Sequence, residues 1–73
     1  MSYAIEQRLR FIDCMLKYYG YINREEIIDF FGVGLATATR DIKLYQEKAP
    51  MNIVYRVKNK RYERSDIFER AYL

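Results

Sequence analysis

The chain has 73 residues with a net charge of +3, and 51% of them are hydrophobic while 32% are charged. This length suits one small domain, and the composition is too apolar for a disordered chain and too often interrupted by charge for a membrane span. The single cysteine, Cys14, and the lack of histidine exclude an intramolecular disulfide, a zinc finger and imidazole acid–base chemistry. We therefore expect a protein of the reducing cytoplasm, with no export signal and no membrane association.

The first predicted element is a helix from Tyr3 to Tyr19, which Gly20 ends. Apolar residues recur along it at spacings of four and three, which is typical of one helical face. A second apolar row lies beside that face and consists of Phe11, Cys14, Met15 and Tyr18. This row is either part of the wide core face that a small domain needs or a surface through which two copies associate.

A second, short helix is predicted between Asn23 and Gly32. Asn23 is a preferred N-cap residue, and Glu26 stands three residues later at the capping-box position, so the helix should begin at Arg24. Gly32 follows the last apolar residue, Phe31, and indicates the C-terminal end.

A third helix is predicted from Leu35 to Lys48, with Pro50 just beyond its end. Alternating residues over 53–57, followed by 61–63, then predict a β-hairpin whose turn at 58–60 is cationic. We divide the chain into a folded domain over residues 1–64 and a C-terminal tail or short helix over residues 65–73.

The second and third helices are separated only by residues 32–34, and this spacing predicts a helix-turn-helix. Glycines permit the tight turn, and Val33 fills the angle between the two helices. A helix that starts with small side chains can enter the major groove of DNA, where its N-terminal residues reach the base edges. With the basic hairpin as a wing on the flanking backbone, the candidate contacts are Ala36, Thr37, Thr39, Arg40, Lys43, Arg56, Lys58, Lys60 and Arg61.

Each of these features also has a structural interpretation. Arg40 could pair with a nearby carboxylate instead of DNA, and Thr37 and Thr39 could simply be solvated helix surface. Charged hairpins also prevent sheets from aggregating edge to edge. The chain has no Gly-rich phosphate loop, metal-ligand spacing or nucleophile–base pair, so we expect neither catalysis nor a cofactor nor a small-molecule substrate.

The segment 31–42, with Tyr45 and Ala49-Pro50 after it, resembles the N-terminal winged helix-turn-helix of DeoR-like regulators, in particular the bacterial WYL-domain regulators. The segments 10–13, 20–24 and 52–55, and Lys60-Arg61-Tyr62, share that resemblance. It implies a mainly α fold of three helices with a small β-hairpin as the wing. It also implies a bacterial or phage transcriptional regulator, usually a repressor.

We therefore expect sequence-specific binding to double-stranded DNA. A single copy offers few base contacts, so we expect a homodimer on half-sites about 34 Å apart, joined through the second apolar row of the first helix. The alternative is a winged-helix module that binds another protein through its tyrosine-rich surface and does not bind DNA.

Overall fold

The computed structural model describes residues 2–72. Residue 1 of the predicted domain and residue 73 of the predicted tail lie outside this range. The elements in chain order are α1 (Tyr3–Tyr19), β1 (Tyr21–Ile22), α2 (Arg24–Phe31), α3 (Leu35–Lys48), β2 (Ile53–Arg56) and β3 (Arg61–Arg64). This order confirms the predicted mainly α fold of three helices followed by a β-hairpin. None of the helices within residues 2–72 is both long and apolar enough to cross a membrane.

The helix ends follow local signals in the sequence. The Ser2 side chain accepts a hydrogen bond from the Ile5 backbone N–H at 3.2 Å at the start of α1. Gly20 ends this helix in the left-handed conformation with φ +84°, which residues with a Cβ rarely adopt. In α2, the Asn23 N–H donates to the Glu26 carboxylate at 2.6 Å, as expected for a capping box.

A three-stranded antiparallel sheet replaces the simple hairpin expected from the sequence, with strand order β1-β3-β2. The additional strand, β1, pairs Tyr21 with Glu63 and Ile22 with Tyr62. Two residues are too few to show alternation, and this strand exists only because β3 returns beside it. The predicted turn also widens by one residue to 57–60, because β2 ends at Arg56.

The core lies where the three helices meet the sheet. Each fully buried aliphatic side chain in such a core contributes about 1.5–3 kcal/mol relative to an exposed one. Its buried hydrophobic residues are Leu9, Ile12, Leu16, Ile22, Ile27, Ala38, Ile42, Tyr45 and Ile53.

The second apolar row of α1 divides between core and surface. Phe11 and Met15 are half-buried and pack against the core, whereas Cys14 and Tyr18 are exposed. Half of the row therefore serves the domain's own packing, and the other half faces solvent.

The chain after β3 packs back onto α1. A turn at residues 66–67 leads into an irregular segment, and Phe68 and Tyr72 pack against the core. The Arg64 N–H donates to the Gly20 carbonyl at 2.9 Å, and the Ser65 hydroxyl donates to the Met51 carbonyl. These contacts attach the segment after β3 to the C-terminal end of α1 through Gly20 and to the loop before β2 through Met51.

Candidate nucleic-acid interface

The exposed face of α3 carries four of the five helix residues predicted from the sequence. Ala36, Thr39, Arg40 and Lys43 are exposed, and their spacings of three and four residues place them along one side of the helix. Thr37 is half-buried and lines a groove between α1 and α3. The structure thus brings the predicted residues of α3 together, with Thr37 at their edge.

The opposite face of α3 holds the helix in place. Its apolar residues Ala38, Ile42 and Tyr45 are buried in the core. Asp41, only 3% exposed, forms an ion pair with Arg8 of α1, in which Nε and Oδ2 are 2.6 Å apart. The nearest carboxylate along the chain is therefore already paired, and Arg40 forms no ion pair within residues 2–72.

The N-terminus of α3 differs from those of the other two helices. Acidic side chains occupy the first turns of α1 and α2, whereas the first turn of α3 has none. Its N-cap residue, Gly34, has no side chain to bind the free N–H groups, and Leu35 beside it is 57% exposed. The positive end of the α3 dipole is therefore uncompensated, which favours an approaching phosphate.

The turn between β2 and β3 presents two unpaired cations. Lys58 and Lys60 are exposed at residues 57–60, and neither forms an ion pair with another described residue. Lys60 has a positive φ of 54°, which closes the turn, and the N–H of Lys60 donates to the Val57 carbonyl at 3.2 Å. The turn therefore projects both ammonium groups into solvent.

The two arginines of the hairpin, in contrast, are engaged with Glu63. Arg61 Nε lies 2.7 Å from Glu63 Oε2, and Arg56 Nε lies 3.7 Å from Oε1. Asn59 Nδ2 donates to the same carboxylate at 2.7 Å. The hydrogen bonds from Arg61 and Asn59 hold the pKa of Glu63 below its ordinary value, so this carboxylate stays charged.

The pairing of Glu63 with the hairpin arginines was not predicted from the sequence, although the spacing of residues along the strands indicates it. Arg61 and Glu63 are two residues apart and so share one face of β3, while Arg56 is the register partner of Arg61. Arg61 also lies over the Tyr21 ring, 4.4 Å from its centroid. Of the four predicted wing residues, the two lysines make no such contact with the part of the chain that the structure describes.

Two helices joined by a three-residue turn, a third helix packed across them and a hairpin beyond define a winged helix-turn-helix domain. The model of the BrxR transcriptional regulator winged helix-turn-helix domain matches residues 4–73. The chain belongs to this family of transcriptional regulator domains.

Curated relatives from several bacteria carry the description "DNA-binding transcriptional repressor CapW". The chain is 37% identical over 68 residues to the protein of Escherichia coli strain KTE188, a match that covers 93% of this chain and 23% of the relative. The chain is 36% identical over 67 residues to the protein of Pseudomonas aeruginosa, a match that covers 92% of this chain and 22% of the relative. It is 41% identical over 56 residues to the protein of Stenotrophomonas maltophilia, and this match covers 77% of this chain and 19% of the relative. The chain thus spans less than a quarter of the length of the curated relatives it matches.

Proposed function

We propose that this chain binds double-stranded DNA in a sequence-specific manner and acts in a transcriptional repressor. The observation that carries this proposal is the exposed side of α3, where Arg40 and Lys43 form no ion pair with a carboxylate of residues 2–72. The CapW relatives, which are described as DNA-binding transcriptional repressors, support it.

The residues of α3 divide into base readers and backbone contacts. Arg40 has the geometry to donate two hydrogen bonds to guanine, and Thr39 offers a hydroxyl and a methyl group to phosphate or thymine. Ala36 leaves room for the helix to approach the bases. Thr37, in the groove between α1 and α3, contacts the DNA backbone. Lys43, one turn after Thr39, binds a phosphate.

The wing supplies affinity more than sequence choice. Lys58 and Lys60 neutralise phosphates flanking the major-groove contact. Arg56 and Arg61 add less because Glu63 already balances part of their charge. We therefore rank the two lysines above the two arginines among the wing residues.

We also propose that the working form is a homodimer in the cytoplasm and that it has no catalytic activity. A repressor acts where the DNA lies, and paired half-sites double the number of base contacts. The exposed residues of the second row, Cys14 and Tyr18, mark the side of α1 through which two copies would meet. Native mass spectrometry of the free and DNA-bound protein checks the stoichiometry.

A salt titration tests the proposal directly. Labelled random-sequence and selected duplexes are titrated with protein at increasing salt concentration. About five phosphate contacts give a slope of about −4 to −5 in a plot of log K against log salt. No measurable duplex binding at low salt would reject the proposal.

Substitutions then separate base reading from backbone binding. Arg40→Ala should cost about 1–3 kcal/mol at the selected site and relax base preference there. Lys58→Ala or Lys60→Ala should weaken binding to all duplexes alike and reduce the salt slope by about 1. Arg64→Ala is the matched control, since it removes the same charge at the end of β3 farthest from the turn. An equal loss in Arg40→Ala and Arg64→Ala would argue against base reading.

One observation favours the alternative function, binding to another protein. Phe30 is 69% exposed and stacks on Phe11 with 4.7 Å between ring centroids, which leaves an aromatic surface open on α1 and α2. In a pull-down assay, Phe30→Ser should abolish binding of a protein partner, while the DNA titration stays unchanged. If the pull-down gives a signal and the DNA titration gives none, the module binds protein and not DNA.

A further inference from the structure

A carboxylate in the middle of α1 is completely buried, and donors from two other parts of the chain converge on it. Asp13 is 0% exposed and accepts a hydrogen bond from the Tyr45 hydroxyl of α3 at 2.6 Å. Arg70 Nε donates to it at 2.8 Å, and the backbone N–H groups of Ala71 and Tyr72 donate at 3.0 and 3.1 Å. Three of its four donors therefore belong to residues 70–72.

The Tyr45 hydroxyl is linked a second time to the same segment, through Asn52. Asn52 Nδ2 donates to the Tyr45 oxygen at 3.2 Å and to the Glu69 carbonyl at 2.6 Å. Asn52 Oδ1 accepts from the Glu69 N–H at 3.0 Å. Residues 69–72 thus hold both groups that surround the hydroxyl of Tyr45.

These bonds reverse the usual effect of burial on the carboxylate. Burial alone would raise the pKa of Asp13, but the hydrogen bonds from Tyr45, Ala71, Arg70 and Tyr72 outweigh it and lower the pKa. Burial and the bond to Asp13 raise the pKa of Tyr45, so its hydroxyl keeps its proton. The network therefore consists of a charged acceptor and a neutral donor.

We infer that Asp13 is a positioning residue for α3. The hydrogen bonds that residues 69–72 form with Asp13 and Asn52 determine the position of α3 in the domain. Tyr45 lies on the same helix as Arg40 and Lys43, on its buried face. As a mechanism of DNA binding, the inference rests on the function proposed above. The placement of α3 itself is independent of that function.

The physical reason is the cost of leaving a buried carboxylate with too few donors. If residues 69–72 leave, the Tyr45 hydroxyl is the one donor that Asp13 keeps among the described residues, and a charge with a single donor is strongly unfavourable in a core. Asp13 then takes up a proton, water enters between α1 and α3, or Tyr45 moves with the carboxylate. Each response weakens the bond between the charged Asp13 and the Tyr45 hydroxyl, and this loosens the C-terminal half of α3, because Tyr45 and Ala49 lie within one turn.

The test compares Arg70→Ala with Arg64→Ala in the 73-residue chain. Both variants lose one guanidinium, but Arg64 donates to the Lys17 carbonyl at 2.9 Å and does not contact Asp13. Amide hydrogen exchange should rise about tenfold at residues 45–49 in Arg70→Ala relative to the first half of α1. Arg64→Ala should leave this ratio unchanged, and Arg70→Lys, which keeps a cation near Asp13, should restore part of the protection.

Binding to the selected duplex completes the test. At temperatures where both variants are folded, Arg70→Ala should bind about fivefold more weakly than Arg64→Ala, with the same salt slope. A uniform rise of exchange in all helices, or equal affinities for the two variants, would overturn the positioning role. If the parent chain binds no duplex, the proposed function fails, but the exchange ratio still decides whether residues 69–72 place α3.

Discussion

Glu63 divides the cations of the wing into two pairs with different freedom to bind phosphate. Its carboxylate lies within 2.7 Å of Arg61 and 3.7 Å of Arg56, while Lys58 and Lys60 have no such neighbour among the described residues. Counting charges along the sequence treats all four cations as equal. Only the strand register shows which of them share a face with the acid.

Replacing this one carboxylate should therefore strengthen DNA binding. Glu63→Gln keeps an oxygen acceptor for Asn59 but removes the charge that balances Arg61 and Arg56. We expect binding to all duplexes to tighten about two- to fivefold near 0.1 M salt, with a slope steeper by about 1. Fluorescence anisotropy over a salt series measures both quantities.

Asp66→Asn is the control for Glu63→Gln, because it removes the same charge at an exposed turn beyond β3. If both variants tighten binding equally, the gain comes from net charge rather than from the released arginines. Unchanged or weaker binding by Glu63→Gln would contradict the role given to this carboxylate.

At the scale of elements, the sequence predicts boundaries well wherever a local signal decides them. Gly20 and Gly32 end α1 and α2 in left-handed backbone with φ +84° and +69°, as their positions after the last apolar residues suggested. The strand β1 has no such signal, because its two residues become a strand only through pairing with β3. A short strand that forms only by pairing with a segment distant in sequence, such as β1, is therefore missed when the sequence is read alone.

The turn between α2 and α3 contains two glycines whose substitution should have opposite effects. Neither has an atom within 4 Å of an added Cβ, so space does not distinguish them. Gly34 has φ −85° at the N-cap of α3, where serine is a better residue than glycine. Gly34→Ser should stabilise the domain by about 0.5–1 kcal/mol through a new cap and a less flexible unfolded chain.

Gly32→Ser is the matched comparison, since its φ of +69° is unfavourable for any residue with a Cβ. The free energy of unfolding of this variant should be lower by about 1–2 kcal/mol, which corresponds to a fall in Tm of about 4–16 °C for a domain of this size. Urea unfolding followed by circular dichroism gives both values. Shifts of the same sign in the two variants would show that backbone conformation does not govern this turn.

At the scale of the whole molecule, the buried network is the part of the structure that the sequence did not suggest. Asp13 interrupts an apolar helix, and from the sequence alone such a charge is expected to face solvent. It is buried because Arg70 and Tyr72, from the far end of the chain, return to α1. The exposed side of α3 was predictable for the converse reason, since its apolar spacing fixes which residues face outward.

The same network should make the stability of the domain fall at both extremes of pH. The pKa of Asp13 is lowered on folding, so its contribution is complete above the ordinary value of 3.8 and is lost as the pH falls through the folded value. The pKa of Tyr45 is raised, so its contribution is complete below its ordinary value of 10.0 and is lost as the pH rises beyond it. Thermal unfolding between pH 2 and pH 11 should show both losses.

The acid loss must be assigned to Asp13, because the pKa of Glu63 is lowered as well. Glu63→Gln removes the contribution of Glu63 to the loss of stability at low pH. The loss of stability that persists in this variant belongs to the remaining carboxylates. Adding Arg70→Ala should raise the pKa of Asp13 and reduce the persistent loss, because the guanidinium that favours the ionised form is gone. Carbon-13 NMR of the Asp13 carboxyl group follows the titration itself. A midpoint at or above 3.8 in the parent chain would mean that burial outweighs the four donors, and that residues 69–72 do not favour the ionised form of Asp13.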